Sequence, residues 1–282
     1  MYNMAIIIMG CMALILSSCT SQKSTAYSES KYFTDSIYSN SLNEYRKHNI
    51  YLPKGFSSSK KYPIIYSTDG SKISKNSFYK RTLDSLINNQ IIKPIIFVSS
   101  HSNKKVADSS GTLGNGDKMY LTYRYFEYVE KQFIEGSHNP QLSSRFTNHL
   151  NYFNFELIPS VEKDLNQNLT KNDRYFYGVS NGAGFGMSML NKEPNTIGTY
   201  ICFSIFGGNI QSNIWNENVK YPILYSEYGS DEPFFLKEDA KFLKSKYDEL
   251  DLDAFINEYN GGHDYKIWKK KFIEIVAKIL AK

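Results

Sequence analysis

The ten residues Tyr175-Phe176-Tyr177-Gly178-Val179-Ser180-Asn181-Gly182-Ala183-Gly184 carry the chain's most chemically loaded pattern. An apolar strand runs into Gly-x-Ser-x-Gly and then into small residues that open a helix. That is the layout of a nucleophile elbow, a strand-to-helix turn sharp enough to hold its serine in strained dihedrals with the hydroxyl exposed. Glycines flank the serine because side chains there would collide with the neighbouring strand and helix. A serine hydroxyl is a poor nucleophile at neutral pH and requires a base within hydrogen-bond reach. Of the five histidines, His48, His101, His138, His149 and His263, only His263 follows Gly-Gly on a loop after a strand, in Gly261-Gly262-His263-Asp264. It is the candidate base. The other four read as surface or loop histidines, of which His101 and His149 could touch substrate.

A third group should orient the base, and it should follow an earlier strand. Tyr221 to Tyr228 leads into Gly229-Ser230-Asp231-Glu232-Pro233. Either carboxylate could hold the imidazole and stabilise its charged form, because both lie on one short turn. Negative charge developing on an attacked carbonyl needs two backbone N–H groups aimed at it. One is expected from Asn181, immediately after the serine. The other is expected from the loop after the third strand, at Gly70 or Ser71. Asp69 beside them reads as a turn former.

The elements that must position these groups follow from patterning. Phe33 to Ser39 and Leu42 to Leu52 read as two strands joined by a tight turn near Asn40, with Ile50 and Leu52 sharing a face. Further strands are expected at Tyr62 to Thr68, Ile91 to Ser99, Arg174 to Val179, Tyr200 to Phe206, Tyr221 to Tyr228 and Asp253 to Tyr259. Helices are expected at Phe78 to Ile87, Glu156 to Leu169, Leu236 to Leu250 and Tyr265 to Ala281. Strands alternating with helices, most of them continuously apolar, predict an α/β domain whose mostly parallel sheet is covered on both faces. The opening hairpin is its antiparallel edge. The stretch from His101 to about Asn154 is long, polar and aromatic, with Gly-Asn-Gly at 114–116 and four tyrosines between Tyr120 and Tyr128. A connection of that length in a compact domain is usually functional. It reads as a lid-like insertion with a helix near Tyr120 to Phe133.

The formal net charge of +5 arises from 33 basic and 28 acidic residues that are interspersed, with no dense basic stripe. That argues against a nucleic-acid partner. No Cys-x-x-Cys or His-Glu-x-x-His pattern occurs, so neither a metal nor another cofactor has support. Met1 to Cys19 reads as a targeting segment. Its apolar run, Ile6 to Leu16, is too short to span a membrane, and Leu16-Ser17-Ser18-Cys19 follows. This resembles a bacterial lipobox, although the start of the segment lacks Lys and Arg. Cleavage before Cys19 and lipidation of its thiol would remove residues 1–18 and leave 19–31 as a Ser-rich tether to the membrane. Thr20, not Asp, follows the cysteine, which suggests the outer membrane. Cys11 would leave with the signal, and Cys202, in an apolar run, reads as a buried small hydrophobe.

Four blocks carry a family resemblance: Tyr62-Pro63-Ile64-Ile65-Tyr66 with Asp69-Gly70, the elbow Gly178-Val179-Ser180-Asn181-Gly182, Gly229-Ser230-Asp231-Glu232-Pro233, and Gly261-Gly262-His263-Asp264 with Trp268. From Tyr32 to the C-terminus the chain resembles the esterase-D-like family of α/β hydrolases, which includes enterochelin esterases, feruloyl and acetyl-xylan esterases and S-formylglutathione hydrolases. The resemblance implies an α/β-hydrolase fold over residues 32–282. It also agrees with Ser180 as nucleophile and His263 as base, and of the oxyanion candidates Asn181 and Ser71 are taken as the donating pair. The family's acid commonly stands three residues after the glycine ending its strand, often before proline, which selects Glu232 over Asp231. The 101–154 stretch is longer than the family's usual connection. The expected activity is cleavage of a carboxylic ester on an acylated or feruloylated glycan or a siderophore. The extracytoplasmic address disfavours S-formylglutathione. The competing reading from another class is a non-catalytic binding lipoprotein on a hydrolase fold; an acyltransferase would share every residue above.

Overall fold

The computed structural model describes residues 27–73, 77–112, 116–130 and 142–282. The leader, Cys19 and the first part of the tether lie outside the described residues, as do His138 and residues 131–133 of the expected lid helix. Strands β1 (Lys31–Ser39) and β2 (Glu44–Leu52) form the opening antiparallel hairpin. Then follow β3 (Ile64–Gly70), helix α1 (Phe78–Asn88) and β4 (Ile96–His101). The 101–154 stretch holds a small hairpin, β5 (Val106–Asp108) with β6 (Leu121–Thr122), then α2 (Tyr123–Tyr128) and α3 (Arg145–Asn151). Helix α3 runs through a π-helical turn, Tyr152–Leu157, into α4 (Ile158–Asp164). The rest is β7 (Arg174–Val179), α5 (Asn181–Lys192), β8 (Thr199–Phe203), β9 (Ile223–Gly229), α6 (Phe234–Glu249), β10 (Ala254–Tyr259) and α7 (Tyr265–Ile279).

Eight strands make one sheet in the order β1-β2-β4-β3-β7-β8-β9-β10. The hairpin joins β4 antiparallel, and every pair from β4 to β10 is parallel. The central strands are apolar on both faces because both faces are covered. Ile64, Tyr66, Phe176, Tyr200 and Cys202 point into one core, with α5, α6 and the α3–α4 run. Their neighbours Ile65, Tyr175, Tyr177, Ile201 and Phe203 point into the other, with α1 and α7. Burial raises the Cys202 thiol pKa, as befits an apolar core residue. Among the described residues no helix is long and apolar enough to cross a membrane.

Most expected elements shift by a few residues at their ends, the helix expected near Tyr120 to Phe133 spans only Tyr123–Tyr128, and two starts move further for local reasons. The strand expected from Ile91 begins at Ile96, because Ile92 and Lys93 pair with the C-terminal Ala281 and Leu280 and Pro94 offers no donor. The helix expected from Glu156 starts a full stretch earlier, at Arg145, since the π turn shifts the 3.6-residue pattern out of phase.

Helix α2 is pinned to the sheet by buried charge. Arg46 on β2 grips the fully buried Glu127 at 2.6 and 3.0 Å, and Arg145 on α3 reaches Glu127 and Glu44, both at 2.6 Å. Beneath them lies His149, which the sequence left open to substrate contact. The structure corrects this: the imidazole is fully buried among Tyr128, Tyr152, Phe153 and Phe185. Burial, and then the charges of Arg46 and Arg145, hold its pKa well below 6.5; burial likewise lowers that of His48 to about 4. The unfolded chain takes up protons on both near pH 6.5 while the native state does not, so stability is full above that pH and falls as pH drops toward 4. Urea midpoints measured from pH 8 to pH 5 are expected to decline accordingly, and less steeply in His149→Phe. An identical slope in the variant would remove His149 from the account.

Candidate active site

The C-terminal ends of β3, β7, β9 and β10 converge on one cleft, the usual place for chemistry on an open α/β sheet. Ser180 leaves β7 with φ 53° and ψ −128°, a conformation that non-glycine residues avoid. The sequence allows this turn because Gly178 and Gly182 bring strand and helix together. A Cβ on Gly178 would lie 2.6 Å from the Gly182 carbonyl oxygen, and one on Gly182 would strike the Thr68 hydroxyl. The turn presents Ser180 Oγ 2.9 Å from His263 Nε2, and His263 Nδ1 lies 3.2 Å from Glu232 Oε1. Three residues separated by up to 83 positions thus form one hydrogen-bonded line. In the tautomer this line requires, Nδ1–H donates to Glu232 and Nε2 accepts from the serine hydroxyl.

Of the two adjacent carboxylates, the structure brings Glu232 to the imidazole. Its side chain is fully buried, whereas Asp231 is exposed and accepts a bond from Ser230 Oγ at 3.1 Å. The Tyr259 hydroxyl stands 2.9 Å from the Gly262 carbonyl oxygen and 3.4 Å from Glu232 Oε1. It has one hydrogen to give, and the shorter contact assigns it to Gly262, which fastens the loop carrying His263. Trp268 Nε1 in turn donates to Tyr259 and Ser204 at 3.0 and 2.9 Å, while its ring meets the His263 imidazole edge-on at 4.6 Å. These supports hold the base at the height of the elbow.

Asn181 opens helix α5, where first-turn N–H groups have no acceptor within the helix. Ser71 lines the same cleft as Ser180, and its carbonyl accepts from Asn49 Nδ2 at 2.7 Å. His101, the other histidine considered for substrate contact, meets Asn49 Oδ1 at 2.8 Å and remains partly exposed at the end of β4. The cleft holds about 430 Å³ and is bordered by Ser71, Lys104, Arg124, Ser180, His263 and Tyr265.

Arg124 is the member that sequence reasoning missed. From α2 it binds Asp69 with both ends of its fork, at 2.6 and 2.8 Å, and reaches Asn181 Oδ1 at 3.2 Å. Asp69, expected as a turn former, instead lies within β3, at the irregularity between Ser67 and Gly70 where its φ is 60°, and its N–H donates to the Tyr128 hydroxyl at 3.3 Å. Arg124 therefore ties the loop carrying Ser71 to the residue carrying the other candidate oxyanion N–H. Nothing in the spacing of Asp69 and Arg124, 55 residues apart, points to this pair. Replacing Arg124 by Gln is expected to lower kcat about tenfold to a hundredfold with little change in KM, somewhat less than deleting an oxyanion donor costs. Steady-state kinetics on a simple aryl ester checks this; a change confined to KM would mean that Arg124 acts on bound substrate instead.

The sheet order, the elbow and the Ser-His-Glu line define an α/β hydrolase. Residues 39–251 match the family described as "Putative esterase"; the chain belongs to that family, whose chemistry is carboxylic ester hydrolysis. Among solved structures, a ferulic acid esterase is similar with a TM-score of 0.66 at 16% identity, covering 90% of this chain and 98% of that one. The ferulic acid esterase of Anaeromyces mucronatus gives 0.62 at 18% identity, covering 92% of each chain. The enterobactin esterase of Shigella flexneri gives 0.64 at 15% identity, over 89% of this chain and 59% of that one. Likeness at such identities is likeness of fold. No curated protein matches the chain in sequence.

Proposed function

We propose that the chain is a lipid-anchored serine esterase that cleaves carboxylic esters through an acyl-enzyme, with Ser180, His263 and Glu232 as its triad. The observation that carries this is the 2.9 Å contact between the strained elbow serine and His263 Nε2. As Ser180 Oγ attacks the ester carbonyl, His263 takes its proton and Glu232 stabilises the imidazolium. The N–H groups of Asn181 and Ser71 receive the charge on the carbonyl oxygen. The tetrahedral intermediate collapses when His263 returns the proton to the departing alcohol, and water then deacylates Ser180 by the same route.

An acylated or feruloylated glycan is the favoured substrate, with a siderophore ester second. The names of the structural neighbours support both, and the exposed Tyr265 at the cleft mouth suits stacking against an aryl or sugar ring. A fluorophosphonate should label Ser180, read as a mass shift on its peptide, because only an activated hydroxyl reacts at a useful rate. Absence of labelling, together with no hydrolysis of methyl ferulate or p-nitrophenyl acetate, would leave a binding role in place of catalysis. The envelope address rests on Leu16-Ser17-Ser18-Cys19. Metabolic labelling with palmitate is expected in the full chain and not in Cys19→Ala; labelling that persists in the variant would refute the anchor.

A further inference from the structure

The catalytic cleft does not end at its rim. Ser102 and Lys104 border it on one side, and the same two residues border a second, more open groove of about 660 Å³ between the edge of β2 and the 101–105 strand end and loop. Tyr45, Lys47 and Lys105 complete its outer wall. The charge under this groove cancels: Arg46 and Arg145 each pair with both Glu44 and Glu127. Inside the cleft the Asp69–Arg124 pair cancels as well. What remains is Lys47, Lys104 and Lys105, none of which has a carboxylate within salt-bridge distance among the described residues.

Isolated surface lysines are ordinarily solvated and mean little. These three differ in bordering a single concavity that opens into the nucleophile's cleft. Their field is felt inside it: after burial, the charges of Lys47, Arg46 and Lys104 are what lower the pKa of His101 on the groove wall. Tyr45, 75% exposed, adds an aromatic face beside them. Glu44 also lines the groove but is paired with Arg46 and Arg145, so the groove, larger than the cleft and adjoining it, carries a net positive charge that attracts a ligand of the opposite sign.

We propose that the alcohol portion of the substrate is anionic, and that its carboxylate or phosphate sits among Lys47, Lys104 and Lys105 while the ester carbonyl lies at Ser180. This rests on the esterase reading of Ser180 and narrows it to esters of acidic glycans or similarly charged alcohols. The groove's shape and its continuity with the cleft favour such a substrate over a flat anionic membrane surface.

Two measurements on the full chain in detergent test this. The first compares kcat/KM for 4-carboxyphenyl acetate and its uncharged analogue, 4-carbamoylphenyl acetate. Wild type is expected to prefer the anion, and the triple variant Lys47→Gln, Lys104→Gln, Lys105→Gln to lower that ratio about tenfold. High salt should erode the wild-type preference because the lysines are solvent-exposed. The second is calorimetry on Ser180→Ala, which needs no turnover, with tetragalacturonate and uncharged xylotetraose. Tighter, salt-sensitive binding of the acidic sugar, lost in the triple variant, is expected. Galacturonate and galactose 6-phosphate as competitors separate carboxylate from phosphate by which one displaces it better. Equal ratios in wild type and triple variant overturn the proposal, as does equal binding of the two oligosaccharides. Loss of phosphatidylglycerol-vesicle binding in the triple variant, with the ester ratio unchanged, assigns the lysines to a membrane instead. Binding in Ser180→Ala beside a wild type inert to every ester would defeat the esterase reading and leave the groove standing.

Discussion

Replacing Ser180 by alanine is expected to lower kcat on p-nitrophenyl acetate by about ten-thousandfold to a millionfold. His263→Ala should cost about as much, and the double variant no more than the worse single. The reason is geometric. The two groups act as one unit through the 2.9 Å contact from Oγ to Nε2, so removing either ends nucleophilic attack. Residual hydrolysis would come from the N–H groups of Asn181 and Ser71 acting on a bound ester attacked by water. Neither variant should unfold the protein: Ser180 is only partly buried and the His263 side chain is 40% exposed. Circular dichroism alongside the kinetics separates loss of chemistry from loss of fold. Losses that multiply in the double variant would show that the two side chains act independently, against the shared role assigned here.

How much of this was legible in the residues depends on the range over which each constraint acts. The elbow was legible because Gly178, Ser180 and Gly182 are neighbours in sequence and in space, and the close approach they permit leaves no other choice of residue. Strand β7 matches its expected bounds for a related reason: its apolar run is cut on one side by polar Lys171 to Asp173 and on the other by the glycine turn. The two-sided sheet followed from strands without alternation. His149 was misread because attention to a lone histidine on a long connection hid its surroundings. Phe146, His149, Leu150 and Phe153 fall at helical spacing, and in the structure that stripe is core. The Arg124–Asp69 fork and the Glu127 cluster had no local trace at all. Their defining pairs, Arg124 with Asp69 and Arg46 with Glu127, join residues 55 and 81 positions apart, and these partners were set by how α2 lies on the sheet. The groove lysines were equally invisible, since which lysines remain unpaired is decided only once the others have found carboxylates.

The choice between two adjacent carboxylates gives the sharpest single-residue contrast. Glu232→Gln is expected to lower kcat by about a hundredfold to ten-thousandfold, whereas Asp231→Asn should leave it within about twofold. A glutamine can still offer its carbonyl oxygen to His263 Nδ1, so the imidazole can keep its position. What is lost is the negative charge opposite the imidazolium that forms as Ser180 attacks. That charge counts heavily here because the Glu232 side chain is shielded from water, and its Oε2 has no hydrogen-bond partner among the described residues. A carboxylate so sparsely solvated gains much of its stabilisation from the cation it faces, which arises only along the reaction path. The effect should therefore fall on kcat more than on KM. Glu232→Asp, one methylene shorter than a 3.2 Å contact accommodates, should be impaired as well, which would tie the requirement to reach as well as to charge. Kinetics on the three variants decides the matter: a large loss in Asp231→Asn with Glu232→Gln near wild type would transfer the role to Asp231 and require the 230–233 turn to rearrange during catalysis.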